Sequence, residues 1–193
     1  MIEFIRTIDT WLFHLINSGT SNSVFDKIMP FITTNSNWTL VYVFLFGWLF
    51  WKGGKNGRIC AVVLIITIVL VDQINSSLLK DWIGRLRPCQ ILSDIRLLVP
   101  CGGGKSMPSS HAANTFAAAI VLAHYYKHYL WVWFGIAIAV SFSRVYVGVH
   151  YPFDVIVGAG FGLLVGFLII KLEELIENQI MKRKKNKDII KNR

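Results

Sequence analysis

The chain has 193 residues, 54% of them hydrophobic, with a mean hydropathy of +0.51. That is too apolar for an ordinary soluble domain of one-domain length, and three cysteines form neither a disulfide framework nor a zinc pattern. The net charge of +9 is local, because residues 182–193, KRKKNKDIIKNR, carry seven Lys/Arg and one Asp and so account for +6 of it.

At the N-terminus, Ile5, Ile8, Leu12, Leu15 and Ile16 recur at helical spacing, with Arg6, Asp9, Thr10 and Asn17 between them. This pattern suits an amphipathic helix lying in the membrane interface. Glu3, Arg6 and Asp9, and the lack of an apolar h-region, argue against a cleavable signal peptide. VFDKIMPFI, residues 24–32, reads as a second interfacial piece. Residues 1–34 are therefore taken as an N-terminal interfacial segment, with a sixth span built from residues 1–30 as the alternative.

A helical span needs about 20 mostly apolar residues. Residues 35–51, 59–79, 109–127, 129–149 and 153–172 qualify or nearly do. The predicted fold is an all-α polytopic membrane helix bundle of five spans, filling a domain of residues 35–176, followed by a basic tail at 177–193. The 52–58 loop, KGGKNGR, has three basic residues and no acid, and the turn at Lys127–His128 is also basic. With five spans these and the tail fall on one face, which the positive-inside rule makes cytoplasmic. Trp48, Trp51, Tyr125, Tyr126, Tyr129 and Trp131 would form an aromatic belt there. The tail thus reads as a topology anchor near anionic lipid, not as a nucleic-acid site. The opposite face receives the loop 80–108, the start of the helix at His111 and the connection around His150.

Cys60 lies in an apolar run and reads as an inert core residue. Cys89 and Cys101 bracket one polar loop and can pair if that loop faces an oxidising compartment. In KDWIGRLRP, residues 80–88, Lys80 and Arg87 are two helical turns apart and share a face. Arg85 lies about 160° away from it at 100° per residue, and Pro88 is expected to stop the helix. In MPSSHAAN, Ser109 or Ser110 can cap the helix that His111 opens. In SFSRVYVGVHYPFD, residues 141–154, Arg144 ends an apolar run, and Pro152 opens the last span with Asp154 in its first turn. Asp154, four residues after His150, can accept that ring's N–H and fix its tautomer.

Ionisable groups at membrane depth usually face the bundle interior and mark function. Lys80, Arg87 and Arg144, with Ser109 and the N–H groups of the 110–111 helix start, form a cage for a tetrahedral oxyanion. Two histidines and an aspartate complete the inventory for phosphoryl transfer.

On these residues the sequence resembles the type 2 phosphatidic acid phosphatase superfamily, which shares its site with vanadium haloperoxidases. That family's motifs are K-x6-R-P, P-S-G-H and S-R-x5-H-x3-D. Lys80–Arg87–Pro88 matches the first, and Ser143–Arg144, His150 and Asp154 match the third. Pro108-Ser109-Ser110-His111 matches the second, with Ser110 in place of glycine. The resemblance implies His150 as nucleophile, Asp154 as its orienting group and His111 as general acid and then base. It implies Lys80, Arg87, Ser109, Ser110 and Arg144 as phosphate ligands. No metal or cofactor is implied.

The expected activity is hydrolysis of a membrane lipid phosphate or pyrophosphate. Lipid A 1-phosphate and undecaprenyl pyrophosphate are favoured, with phosphatidylglycerophosphate as a third substrate. Lipid-to-lipid phosphotransfer and a non-catalytic anion-binding bundle are the rivals. The expected location is the bacterial inner membrane, with the site facing the periplasm and the tail cytoplasmic. Loop 89–107, with CGGGK at 101–105, is expected to act as a flexible lid. Asp72, Gln73, Asn75, Ser76 and Ser77 are expected to line or brace the site, and GAGFGLLVG, 158–166, to let helices approach closely. His14, His124 and His128 join no cluster.

Overall fold

The structure, a computed structural model, describes residues 2–191. Among the described residues every regular element is helical. The N-terminal pieces are α1 (Ile2–Asn17) and α2 (Phe25–Thr33), and a 3-10 turn at Asn35–Trp38 leads into α3 (Thr39–Trp51). Helix α4 (Gly54–Ile74) runs through a π turn, Asn75–Leu79, into the single turn α5 (Lys80–Ile83). The short α6 (Pro88–Ile91) precedes a long loop, then α7 (Ser110–Tyr125), α8 (Leu130–Tyr146) and α9 (Pro152–Lys191).

Alanine-rich α7 lies at the centre, packed on α4, α8 and α9. Its Ala112, Ala113 and Ala117 are fully buried. Facing them, Gly158, Gly162 and Gly166 let α9 come into backbone contact. A Cβ on Gly162 would lie 2.1 Å from the Ala113 carbonyl oxygen, and one on Gly158 would lie 2.5 Å from that of Ser109. The small-residue stripe is therefore a helix seam, as expected. Leu40, Val41, Val43 and Phe44 of α3 stand exposed, as lipid-facing side chains do.

Among the described residues, three helical stretches are long and apolar enough to cross a membrane alone: Gly54–Ile91, Lys127–Tyr146 and Pro152–Asp188. The expected spans at 35–51 and 109–127 correspond to α3 and α7. These have 13 and 16 residues, and α7 is about 24 Å long at 1.5 Å per residue.

Two local expectations are corrected. The helix after Lys80 ends at Gly84, whose φ of +66° no side-chain-bearing residue adopts cheaply. Pro88, expected to stop that helix, instead occupies the first turn of α6, where its missing N–H costs nothing. Helix α9 runs unbroken to Lys191, so the described part of the basic tail is helical.

Candidate active site

The motif residues converge on the connection between α8 and α9. His150 is 1% exposed and Asp154, one turn into α9, is fully buried. Nδ1 of His150 lies 3.5 Å from Asp154 Oδ2 and 3.4 Å from Ser106 Oγ. With its proton on Nδ1 the ring donates toward these two acceptors, and the Nε2 lone pair faces the other way. There it meets Arg87 Nη1 at 3.3 Å. Burial pushes the His150 imidazole down to about 4, against the upward pull of Asp154.

Each oxygen of Asp154 is engaged. Oδ2 accepts from Tyr151 N at 2.8 Å and from the Ser106 hydroxyl, and Oδ1 accepts from Arg85 Nη1 at 2.8 Å. A carboxylate this well supplied with donors is held in one orientation. Ser109 N–H donates to the Asp154 carbonyl at 2.9 Å, which ties the start of α7 to the start of α9.

The cations surround this pair. Arg87 donates to Val149 O at 3.3 Å and Gly103 O at 3.4 Å, but its buried Nε has no protein partner. Arg144 donates to Thr33 Oγ1 at 2.6 Å, and its Nε is likewise buried and unpartnered. Lys80 is within electrostatic range of Arg87, Arg144 and Asp154. His111 is within electrostatic range of Arg144, His150 and Lys80. Ser109 takes the N-cap position of α7 without using its hydroxyl as a cap, so its Oγ is buried with no partner. Buried donors left open in this way have a cost, and three of them in one cluster suit an anion. Ser110 Oγ accepts from Asn75 Nδ2 at 2.8 Å, and the hydroxyl proton remains free to donate.

Asn75 opens the π turn, a widened turn of a kind frequent at functional sites. Asp72 Oδ1 accepts from Asn114 Nδ2 at 3.2 Å, so Asp72 and Asn75 brace the α4–α7 contact. Gln73, Ser76 and Ser77 are exposed and do not.

Four contributors were not legible as site residues: Arg85, Asp9, Ser106 and Thr33. Helical angle places Arg85 away from the Lys80–Arg87 face, but Gly84 ends the helix before it. Asp9 looked like the polar face of an interfacial helix, yet it is 1% exposed and pairs with Arg85 Nη2 at 2.7 Å.

The loop expected to be a lid is pinned at several points. Cys89 and Cys101 form a disulfide with their Cα atoms 5.9 Å apart. Ser106 N donates to Arg85 O at 2.7 Å, and Leu98 N to Val147 O at 3.2 Å. Asn17 grips Arg96 at both its backbone N–H, at 2.9 Å, and its carbonyl, at 2.8 Å. Arg96 pairs with Asp26 at 2.6 Å, and with Tyr146 it holds that carboxyl below the usual range. The exposed run Gly102-Gly103-Gly104 is the part not enclosed.

Comparison with known proteins places the chain in a family. A family model described as the PAP2 superfamily matches residues 58–176. A Lipid A 4'-phosphatase of Bacteroides thetaiotaomicron is 36% identical over 179 residues, covering 87% of this chain and 78% of that protein. An Undecaprenyl-diphosphatase of Sulfolobus acidocaldarius is 35% identical over 121 residues, covering 62% of this chain and 58% of the relative. The crystal structure of Aquifex aeolicus LpxE superposes with a TM-score of 0.68 at 27% identity, covering 85% of this chain and 95% of that one.

Proposed function

The chain belongs to the PAP2 superfamily and is a membrane lipid phosphatase, and from that premise we propose that it works through a covalent phosphohistidine on His150. The Nε2 lone pair attacks phosphorus, the P–O bond to the lipid breaks, and His111 gives its proton to the departing oxygen. A water molecule then attacks the same phosphorus, the P–N bond breaks, and His111 takes the proton that water releases. Phosphate leaves and both imidazoles return to their starting states.

Arg87, Arg144, Lys80, Ser109 and Ser110 hold the phosphoryl oxygens. Charge stabilisation and alignment are most of what such a transition state requires. The observation that carries this reading is the orientation of His150. Its Nδ1 is committed to Ser106 and Asp154, while its Nε2 faces Arg87 beside the open donors of Arg87, Arg144 and Ser109.

The proposed substrate is a phosphate monoester on a lipid A-type glycolipid. The 4'-phosphate is placed ahead of the 1-phosphate and of undecaprenyl pyrophosphate. Support comes from the relative named for it, which matches 87% of the chain, against 62% for the undecaprenyl relative.

In the proposed topology α3, α4–α5, α7, α8 and α9 span the membrane of a bacterial cell. Residues 1–34 lie at the outer interface, and the basic end of α9 is cytoplasmic. The site then opens to the periplasm, where a disulfide at that end of the bundle is chemically at home.

The test is a phosphate-release panel on purified protein with these three lipids, paired with acid-sensitive, base-stable labelling of the protein by radioactive substrate. Release from the glycolipid and label lost in His150→Ala are expected. A phosphorylated lipid product in place of free phosphate would mean transfer. No release from any lipid would overturn the enzyme reading.

A further inference from the structure

The N-terminal helix reaches the site through one buried acid. Asp9 forms a close ion pair with Arg85 Nη2 at 2.7 Å, and Arg85 Nη1 meets Asp154 Oδ1 at 2.8 Å. The Arg85 guanidinium lies 4.0 Å over the Tyr151 ring, so its plane is fixed between the two carboxylates. The other oxygen of Asp9 accepts from Phe153 N at 2.9 Å, in the first turn of α9. One residue of α1 therefore touches both the cation behind Asp154 and the helix start that carries Asp154.

The charge count is the argument. Once phosphorylated on Nε2 with its proton kept on Nδ1, the His150 ring is cationic, and the carboxylate of Asp154 stabilises it. A lone Arg85 against Asp154 would cancel that carboxylate and leave a neutral pair behind a developing positive charge. Asp9 restores a net charge of −1 to the group Asp9–Arg85–Asp154. Two buried carboxylates on one half-buried arginine are costly to assemble, and tethering α1 would need no second buried carboxylate.

We propose that Asp9 is a positioning residue for the phosphoryl-transfer reaction, balancing the charge of Arg85 so that Asp154 acts on His150 as a full anion. This rests on the phosphohistidine reading above.

The experiment compares Asp9→Asn, Arg85→Gln and the double variant Asp9→Asn/Arg85→Gln with wild type in detergent, reading kcat, KM and phosphoenzyme formation. Asp9→Asn keeps an acceptor for Phe153 N and loses only the charge. Its kcat should fall about 10–100-fold with KM changed by less than about 3-fold. The double variant again has a net charge of −1, so its kcat should recover to several-fold above that of Asp9→Asn. A mere tether predicts the opposite, since the double variant loses both ends of the contact.

The inference is overturned by Asp9→Asn turning over within about 2-fold of wild type, or by a double variant no faster than Asp9→Asn. If Asp9→Asn does not fold, the double variant alone carries the test, and a kcat below about 1% of wild type overturns the inference. A wild type that forms no phosphohistidine sinks the mechanism and this inference together. A labelled wild type with an unaffected Asp9→Asn sinks the inference alone.

Discussion

Arg87 covers the face of His150 from which an attack on phosphorus would start: its Nη1 stands 3.3 Å from the imidazole Nε2. The same guanidinium is anchored on the carbonyls of Val149 and Gly103. In the resting protein it occupies the lone pair, and a phosphoryl oxygen must take its place as partner. Arg87→Lys keeps the charge but has neither the fork nor its two backbone anchors. Its kcat/KM is expected to fall about 100-fold or more, measured on the lipid that wild type hydrolyses best.

If His111 is the acid for the leaving oxygen, its loss should matter least when no acid is needed. His111→Ala should lose about 10²–10⁴-fold in kcat on a lipid substrate. On an aryl phosphate with a good leaving group, the first step should survive while water attack stays slow. Quenched-flow labelling should then show phosphoenzyme accumulating in the variant and not in wild type. Equal losses in the rate of phosphoenzyme formation on both substrates would remove His111 from that role.

The buried ring of His150 is held down to about 4, so it stays neutral through neutrality and down to about pH 5, the form the proposed attack requires. Histidine-selective ¹⁵N spectra at pH 5.5 should include a neutral-ring signal that is missing in His150→Ala. The linkage has a definite sign. An unfolded histidine takes up its proton near 6.5 and this one only near 4, so acidification across that window binds protons to the unfolded chain first. Its contribution to stability is full above the higher value and shrinks as pH falls toward the lower one.

The disulfide Cys89–Cys101 joins α6, next to Arg87, to the loop that delivers Gly103 to Arg87 and Ser106 to Asp154. Cutting it frees both contacts from one end. Cys89→Ser/Cys101→Ser should lower kcat roughly 3–30-fold while the protein still folds, because the bundle core lies elsewhere. Mild reductant should reproduce the loss in wild type and do nothing further to the variant.

At the α7–α9 seam there is no room for a side chain on Gly162, since a Cβ would meet the Ala113 carbonyl at 2.1 Å. Gly162→Val should destabilise the protein by about 1–3 kcal/mol or more through forced separation of the helices. Gly160, whose Cβ would have open space, is the control position. Thermal unfolding in detergent separates the two.

The parts of the site that sequence made legible are those whose meaning is carried by spacing. Lys80 and Arg87 are seven residues apart and His150 and Asp154 four, and these spacings hold as motifs although the helix ends at Gly84 within the first pair and begins only at Pro152 within the second. His111 opens a helix that has no apolar reason to hold it. What escaped depended on where regularity stops. Arg85 was placed by counting 100° per residue through Gly84, where the helix has already ended. Ser106 sits in a loop with no period to read. Asp9 alternates with apolar residues as any water-facing acid would, and its burial is decided by α8 and α9, which lie over a hundred residues away. The span count met the same limit, because α7 is short for a bilayer yet lies in the middle of the bundle.

Helix α9 begins beside the phosphate cage at Pro152 and is still helical at Lys182, where its run of cations starts. Thirty residues at 1.5 Å each make a rod of about 45 Å, close to the full depth of a bilayer with its headgroups. In the proposed topology, with that cationic foot moored on the cytoplasmic leaflet, the rod would fix the height of its head in the other. Membrane thickness would then become a variable of catalysis: thinner bilayers would lift the proposed cage above the plane in which lipid phosphates lie, and thicker ones would sink it below.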